Sequence, residues 1–150
     1  MKPFRPEVFR IKPIRHPGAS LIVPFVDSER VILLRQYRPV IRGFLYELPA
    51  GTRDKGESEL ACARRELVEE TGYAAALMKK LGSIFPVPGY STEKIAIFKA
   101  WRLTRKNISL DRDEIITSSV VTRARIKRLF KAGRIRDAKT ICALAFCGWL

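Results

Sequence analysis

The stretch that most constrains this chain runs from Gly51 to Tyr73, GTRDKGESELACARRELVEETGY. From Ser58 to Thr71 it is rich in helix formers and free of Pro and Gly, and Gly72 follows where a left-handed helix end is wanted. The spacing predicts a helix over 58–71, nearly four turns long. At about 100° per residue, Glu66, Glu69 and Glu70 fall within one narrow arc, beside an apolar stripe of Leu60, Ala63 and Leu67. One face packs, and the adjacent face presents three carboxylates. Like charges four residues apart weaken an isolated helix by a few tenths of a kcal/mol, so the arc calls for a partner. A divalent cation answers it, because carboxylate oxygens suit hard Mg²⁺ or Mn²⁺, which keep several waters and bridge to phosphates. The plainer alternative is a solvated acidic face paired with Arg64 and Arg65.

Composition narrows the classes. The chain has 150 residues, 47% of them hydrophobic, which suits one domain over 1–150. It contains no apolar run of 18 residues, and the start MKPFRPEVFRIKP lacks the apolar centre of a signal peptide. The three cysteines, Cys62, Cys142 and Cys147, show no CxxC spacing and read as reduced thiols of a cytoplasmic protein. His16 is the only histidine, which argues against a His-based zinc site or a Ser-His-Asp triad. The net charge of +14 is unevenly spread: seven of the fifteen acids lie between Glu47 and Glu70, whereas Arg102 to Lys139 carries twelve Lys and Arg against four acids. An acidic pocket in a basic body would attract polyanions. RNA binding is the weaker alternative, since no interleaved aromatic motif accompanies the charge.

Along the chain, residues 1–15 read as a basic, Pro-punctuated arm, and His-Pro-Gly at 16–18 as a turn. Ala19–Val26 and Arg30–Arg38 read as two strands making a hairpin. Pro39–Phe44 is a loop and Leu45–Pro49 a short strand. Leu77–Ile84 and Lys94–Leu103 are strands flanking a Pro/Gly loop over 85–93, of the kind that carries binding residues. A strand over 115–121 follows. Thr122 caps a helix with Ile126, Leu129 and Phe130 on one face and Gly133 as its stop, and Asp137 caps a last helix burying Ile141, Leu144 and Ala145. Strands interleaved with helices give an α/β sandwich around a mixed sheet.

In the 51–73 window, Gly51, Glu57, Arg65, Glu66, Glu69, Glu70 and Gly72, with apolar slots at Leu67 and Tyr73, stand at the spacings G-x5-E-x7-R-E-U-x-E-E-x-G-U. The window resembles the Nudix box, and Tyr73 is a mild departure from the usual Ile, Leu or Val. Gln36-Tyr37-Arg38, the run Glu47-Leu48-Pro49-Ala50-Gly51, Pro88, and the segment GRIRDAKT from Gly133 to Thr140 are similar to the ADP-ribose pyrophosphatase branch of that superfamily.

The resemblance implies a Nudix-type α/β/α sandwich around a mixed sheet. It implies hydrolysis of the pyrophosphate linkage of a nucleoside diphosphate sugar, ADP-ribose giving AMP and ribose 5-phosphate. It also implies Mg²⁺ held by Glu66 and Glu70, with Glu69 and the Ala50 carbonyl completing the cluster and Glu57 and Arg65 bracing the helix. Arg38, Glu47 and Glu93 are then the substrate-side residues. The base that takes the proton from the attacking water falls to Glu114, with Asp113, Asp111 or Glu69 as alternatives. A homodimer is expected, because the basic arm and the apolar last helix leave surface to cover. Other nucleotides as substrate, or a non-catalytic nucleotide- or RNA-binding module, are the rival readings.

Overall fold

A computed structural model describes residues 12–106 and 115–150. The expected arm over 1–15 and the candidate bases Asp111, Asp113 and Glu114 therefore lie wholly or mostly outside the described residues. Among the described residues seven strands form two sheets: β1 (Ala19–Pro24), β4 (Ala50–Thr52), β5 (Tyr73–Ile84) and β6 (Ile95–Arg105) make one, and β2 (Arg30–Arg38), β3 (Gly43–Glu47) and β7 (Ile116–Thr122) the other. The first runs in the order β4-β1-β6-β5 and is mixed, since β1 is parallel to β6 and the remaining pairs are antiparallel. The second, β3-β2-β7, is wholly antiparallel.

β1 is buried along its whole length, which explains why its sequence ASLIVP is apolar on both faces apart from Ser20 rather than alternating. Leu21 and Val23 point into the larger core with Val31, Leu33, Leu48, Ile97, Ile126 and Leu144. Ile22 points the other way, against Ala63 and Leu67 of α1 (Glu59–Thr71) and Ala96 and Phe98 of β6. The mixed sheet thus carries α1 on one face, while the antiparallel sheet, α2 (Arg123–Lys131) and α3 (Ala138–Phe146) supply the core on the other. This is the α/β sandwich that the sequence leads one to expect. Among the described residues no helix is long and apolar enough to cross a membrane.

Three expectations are corrected. β1 and β2 do not form a hairpin: each enters a different sheet, and contact across the turn is confined to a bridge between Phe25 and Val31 and hydrogen bonds from the Val26 and Asp27 amides to the Arg30 carbonyl. β1 takes its neighbours from the later strands β4 and β6, while β2 pairs with the next strand, β3, and with distant β7. On α1, Leu60 is exposed, and Cys62 joins Ala63 and Leu67 in the buried face. On α3, Ala145 is exposed and Ala143 is buried in its place.

Candidate active site

The box begins where β4 turns into the loop before α1. Ser58 caps the helix by accepting a hydrogen bond from the Ala61 amide at 3.1 Å, and Gly72 ends it at φ 72°. Ser20 Oγ of β1 donates to the Glu59 carbonyl at 2.7 Å, so the first turn is tied to the sheet beneath it. With both ends fixed, the rotation of α1 about its axis is fixed too.

That rotation turns Glu66 and Glu70 inward. They are only 9% and 8% exposed, and both line a cleft of about 540 Å³ together with Ala50, Gly51 and Thr52 of β4. Glu70 Oε2 accepts the Ala50 amide at 2.8 Å, which locks the carboxylate against the strand. Gly51 is equally constrained, for a different reason. A Cβ on it would lie 1.9 Å from Glu66 Oε1, so the glycine is the space into which that carboxylate fits.

Arg65 braces this arrangement from behind. Its Nε and Nη2 donate to the two oxygens of Glu57 at 3.0 and 2.9 Å, and Nη2 also donates to the Thr52 carbonyl at 3.0 Å. Its Nη1 donates to Glu66 Oε1 at 2.6 Å and to Glu69 Oε2 at 2.9 Å. One planar guanidinium therefore joins the loop, β4 and the helix. The hydrogen bonds from Arg65 hold the Glu57 carboxyl down to about 2, and those from Glu57 raise the Arg65 guanidinium further above its ordinary value. Glu69, the third acid of the arc, has a side chain 45% exposed and does not line the cleft.

The opposite wall comes from β2 and the start of α3. Gln36 and Arg38 are two apart on β2 and so share a face, and both line the cleft. Arg38 is held by a bidentate pair to Glu47 of β3, Nε to Oε1 at 2.7 Å and Nη2 to Oε2 at 2.6 Å. Lys139 donates to the same Glu47 Oε2 and, at 2.8 Å, to Asp137, whose other oxygen caps α3 by accepting the Thr140 amide at 3.0 Å. Glu47, expected on the substrate side, is 1% exposed and does not line the cleft. It holds Arg38 and Lys139 in place. Burial works against its charged form, but the hydrogen bonds and charges of Arg38 and Lys139 outweigh it and keep the carboxyl below its usual range. The bonds from Glu47 correspondingly raise Arg38.

Glu93, at the end of the 85–93 loop, lines the cleft as well, with His16 Nε2 3.9 Å from its Oε1. Glu66, Glu70, Ala50, Arg38 and Glu93 are thus brought together. Glu47, Glu57, Arg65 and Glu69 stand behind or beside them, and Glu114 is outside the described residues. The residues that sequence reasoning passed over are Gln36 and Lys139. The run GRIRDAKT pointed to the second, but a Lys beside a helix start reads in isolation as a solvated charge.

Among the described residues no three Asp, Glu, His or Cys side chains converge tightly enough to cage an ion. Two nearly buried carboxylates and the adjoining β4 backbone nevertheless form a hard oxygen donor set open to the cleft, which fits a cation that keeps most of its waters.

Comparison with known proteins agrees with the geometry. The profile of the NUDIX domain matches residues 14–144. The chain belongs to the Nudix family, and it is a pyrophosphohydrolase of that family. It is 34% identical over 135 residues to the methanol dehydrogenase activator of Bacillus methanolicus and 33% identical over 135 residues to the ADP-ribose pyrophosphatase of Bacillus subtilis (strain 168), each match spanning 89% of this chain and 73% of the relative. To the GDP-mannose pyrophosphatase of Citrobacter koseri it is 32% identical over 141 residues, 88% of this chain and 73% of the relative. The crystal structure of an ADP compounds hydrolase superposes with a TM-score of 0.78 at 28% identity, covering 91% of this chain and 72% of that one.

Proposed function

We propose that this Nudix chain acts, as one catalytic domain, on nucleoside diphosphate sugars, with ADP-ribose as the substrate cleaved to AMP and ribose 5-phosphate. The observation that carries the reading is a single cleft with Glu66 and Glu70 on one wall and Arg38 on the other. A pyrophosphate needs cationic groups along its oxygens, and its cleavage needs an acidic pole that can hold a divalent ion. Both are present in one cavity of ligand size.

In this reading Glu66, Glu70 and the Ala50 carbonyl hold Mg²⁺, which when bound neutralises phosphate charge and acidifies a water. Arg38 presents its free edge to the diphosphate, and its bidentate bond to Glu47 fixes its plane beforehand, so little side-chain freedom is lost on binding. Glu93 and Gln36 supply polar contacts for the sugar end. Arg65 keeps Glu66 aimed into the cleft. The proton of the attacking water goes to Glu114, since Glu69 is bonded to Arg65 and faces away from the cavity.

The names of the relatives at 33% and 32% identity support two sugar nucleotides almost equally, ADP-ribose and GDP-mannose. The deciding measurement is kcat/KM for ADP-ribose, GDP-mannose and the nucleoside triphosphates under Mg²⁺ titration. We expect ADP-ribose to lead. A lead for GDP-mannose would keep the substrate class and change both the base and the sugar, and a lead for a triphosphate would reject the reading. Glu114→Gln should lower kcat by about 10² to 10⁴ with KM little changed, whereas Glu69→Gln should have the smaller effect.

A further inference from the structure

Among the described residues a cavity of about 810 Å³ lies apart from the carboxylate cleft. It lies at the other end of the same two parallel strands. Ala19 of β1 and Ile95 of β6 line the cleft, whereas Phe25, just past β1, and Lys99, Trp101 and Arg102 of β6 line this second cavity. From Ile95 to Lys99 is roughly 13 Å along an extended strand, and the two cavities share no lining residue.

Its walls are aromatic and its charge is positive. Phe25 and Trp149 meet edge to face at 5.3 Å, and both are nearly buried. The Lys99 ammonium lies 4.5 Å from the centre of the Phe25 ring and 5.9 Å from that of Trp101. Lys79 and Arg102 complete the cationic set. No ion pair within 4.0 Å engages any of these three among the described residues, whereas the acid at the rim, Asp27, is bonded to Arg30 at 2.7 Å. The C-terminal end of α3 also borders the cavity and contributes a partial negative charge of about half a unit, which three whole positive charges outweigh.

Arg102 adds a structural reason to regard the set as a site. Neighbouring residues of a strand point to opposite faces, so Trp101 and Arg102 could not both line one cavity on a regular strand. Arg102 stands at φ 56°, in the left-handed region, and the β5–β6 pairing omits it together with Ala76. The break in alternation brings the guanidinium to the same side as the indole.

We propose that this cavity is a second ligand site, which takes a mononucleotide: the base against the partly exposed indole of Trp101, with nearly buried Phe25 and Trp149 as the floor, and the multiply charged phosphate among Lys79, Lys99 and Arg102. Flat rings recognise the base by stacking, and half-buried Lys99, with the exposed Lys79 and Arg102 at its margin, attracts the phosphate.

Trp101 and Trp149 are the only tryptophans in the chain, so intrinsic fluorescence reports this cavity directly. AMP serves as the probe because it has no pyrophosphate linkage to cleave. AMP should change the fluorescence saturably, with adenosine, which lacks the charge, and inorganic pyrophosphate, which lacks the base, each binding at least about tenfold more weakly. Lys99→Met should weaken AMP at least about tenfold. Arg102→Gly, which suits the positive φ and so leaves the fold intact by circular dichroism, should weaken it similarly. Arg38→Met, in the other cleft, should leave AMP affinity within about twofold. A response abolished by Arg38→Met but kept in Lys99→Met and Arg102→Gly would move the nucleotide to the carboxylate cleft and overturn the proposal. So would the absence of any saturable response in the unaltered protein.

Discussion

Gly51 carries the tightest constraint at the scale of single residues. Since a Cβ there would overlap the Glu66 carboxylate at 1.9 Å, and β4 and α1 are both anchored, Gly51→Ala has to rotate Glu66 away from the cleft or push the strand off the helix. Activity or Mg²⁺ affinity is expected to fall about 10- to 100-fold, as when an orienting neighbour of a metal ligand is lost. Unchanged metal dependence in Gly51→Ala would remove Glu66 from the ligand set. Glu47 makes a separable prediction, because it touches no cleft surface yet fixes two cations that face it. Glu47→Gln leaves one acceptor where Arg38 and Lys139 need two, so stability should drop by about 1.5 to 3 kcal/mol in urea unfolding. KM should rise about five- to tenfold with kcat less affected, because a loosely held Arg38 has to be ordered by the substrate. A fall in kcat with KM unchanged would place Glu47 in the chemical step instead.

The elements were legible where local signals agreed, and misleading where neighbours were supplied from afar. α1 was readable to within a residue because Ser58, the helix-forming run and Gly72 all specify the same boundaries. β5 was expected only from Leu77, but it begins at Tyr73, since pairing with Thr104 and Arg105 extends it over Ala-rich residues that have little strand preference of their own. The β1–β2 pairing was misread because two apolar runs joined by Asp-Ser-Glu look like a hairpin, and nothing local reveals that β1 is claimed by β4 and β6. The same limit hid Lys139: its value comes from Glu47, 92 positions earlier in the chain. The brace between the 52–57 loop and α1 also has a pH signature. Arg65 holds Glu57 down to about 2, so the stability this contact contributes is present above the ordinary carboxylate value of 4.5 and is lost as pH falls toward about 2. Melting temperature followed from pH 5 to pH 2 should therefore decline, and Glu57→Gln should flatten that decline. Parallel curves for the two proteins would mean that the contact does not form in solution.

For the whole molecule, the open question is what covers its exposed apolar surface. Val40, Ile41 and Phe44, at the tip joining β2 to β3, are exposed, as are Ile14, Phe85 and Tyr90, which gather where residues 12–15 run beside the 85–93 loop. Ile14 bridges Ser91 and its amide donates to the Tyr90 carbonyl at 2.8 Å, so this group is held in place at the margin of the cleft. Scattered apolar side chains on a monomer need no explanation, but two groups, one of them held at the margin of the cleft, fit a surface shared with a second copy of the chain. The net charge of +14 opposes such association through long-range repulsion, and salt screens that repulsion beyond about 10 Å at 0.1 M. A dimer held by apolar contact against charge repulsion should therefore tighten as ionic strength rises, the reverse of one held by ion pairs. Light scattering at micromolar concentration is expected to give twice the 17.1 kDa of the chain, with the dimer fraction increasing from 20 mM to about 300 mM salt. Val40→Asp or Tyr90→Asp should shift it toward the single-chain mass, and Tyr90→Asp should also raise KM because its loop borders the cleft. A mass of 17.1 kDa at every salt concentration would exclude the dimer and leave these groups as ordinary exposed surface.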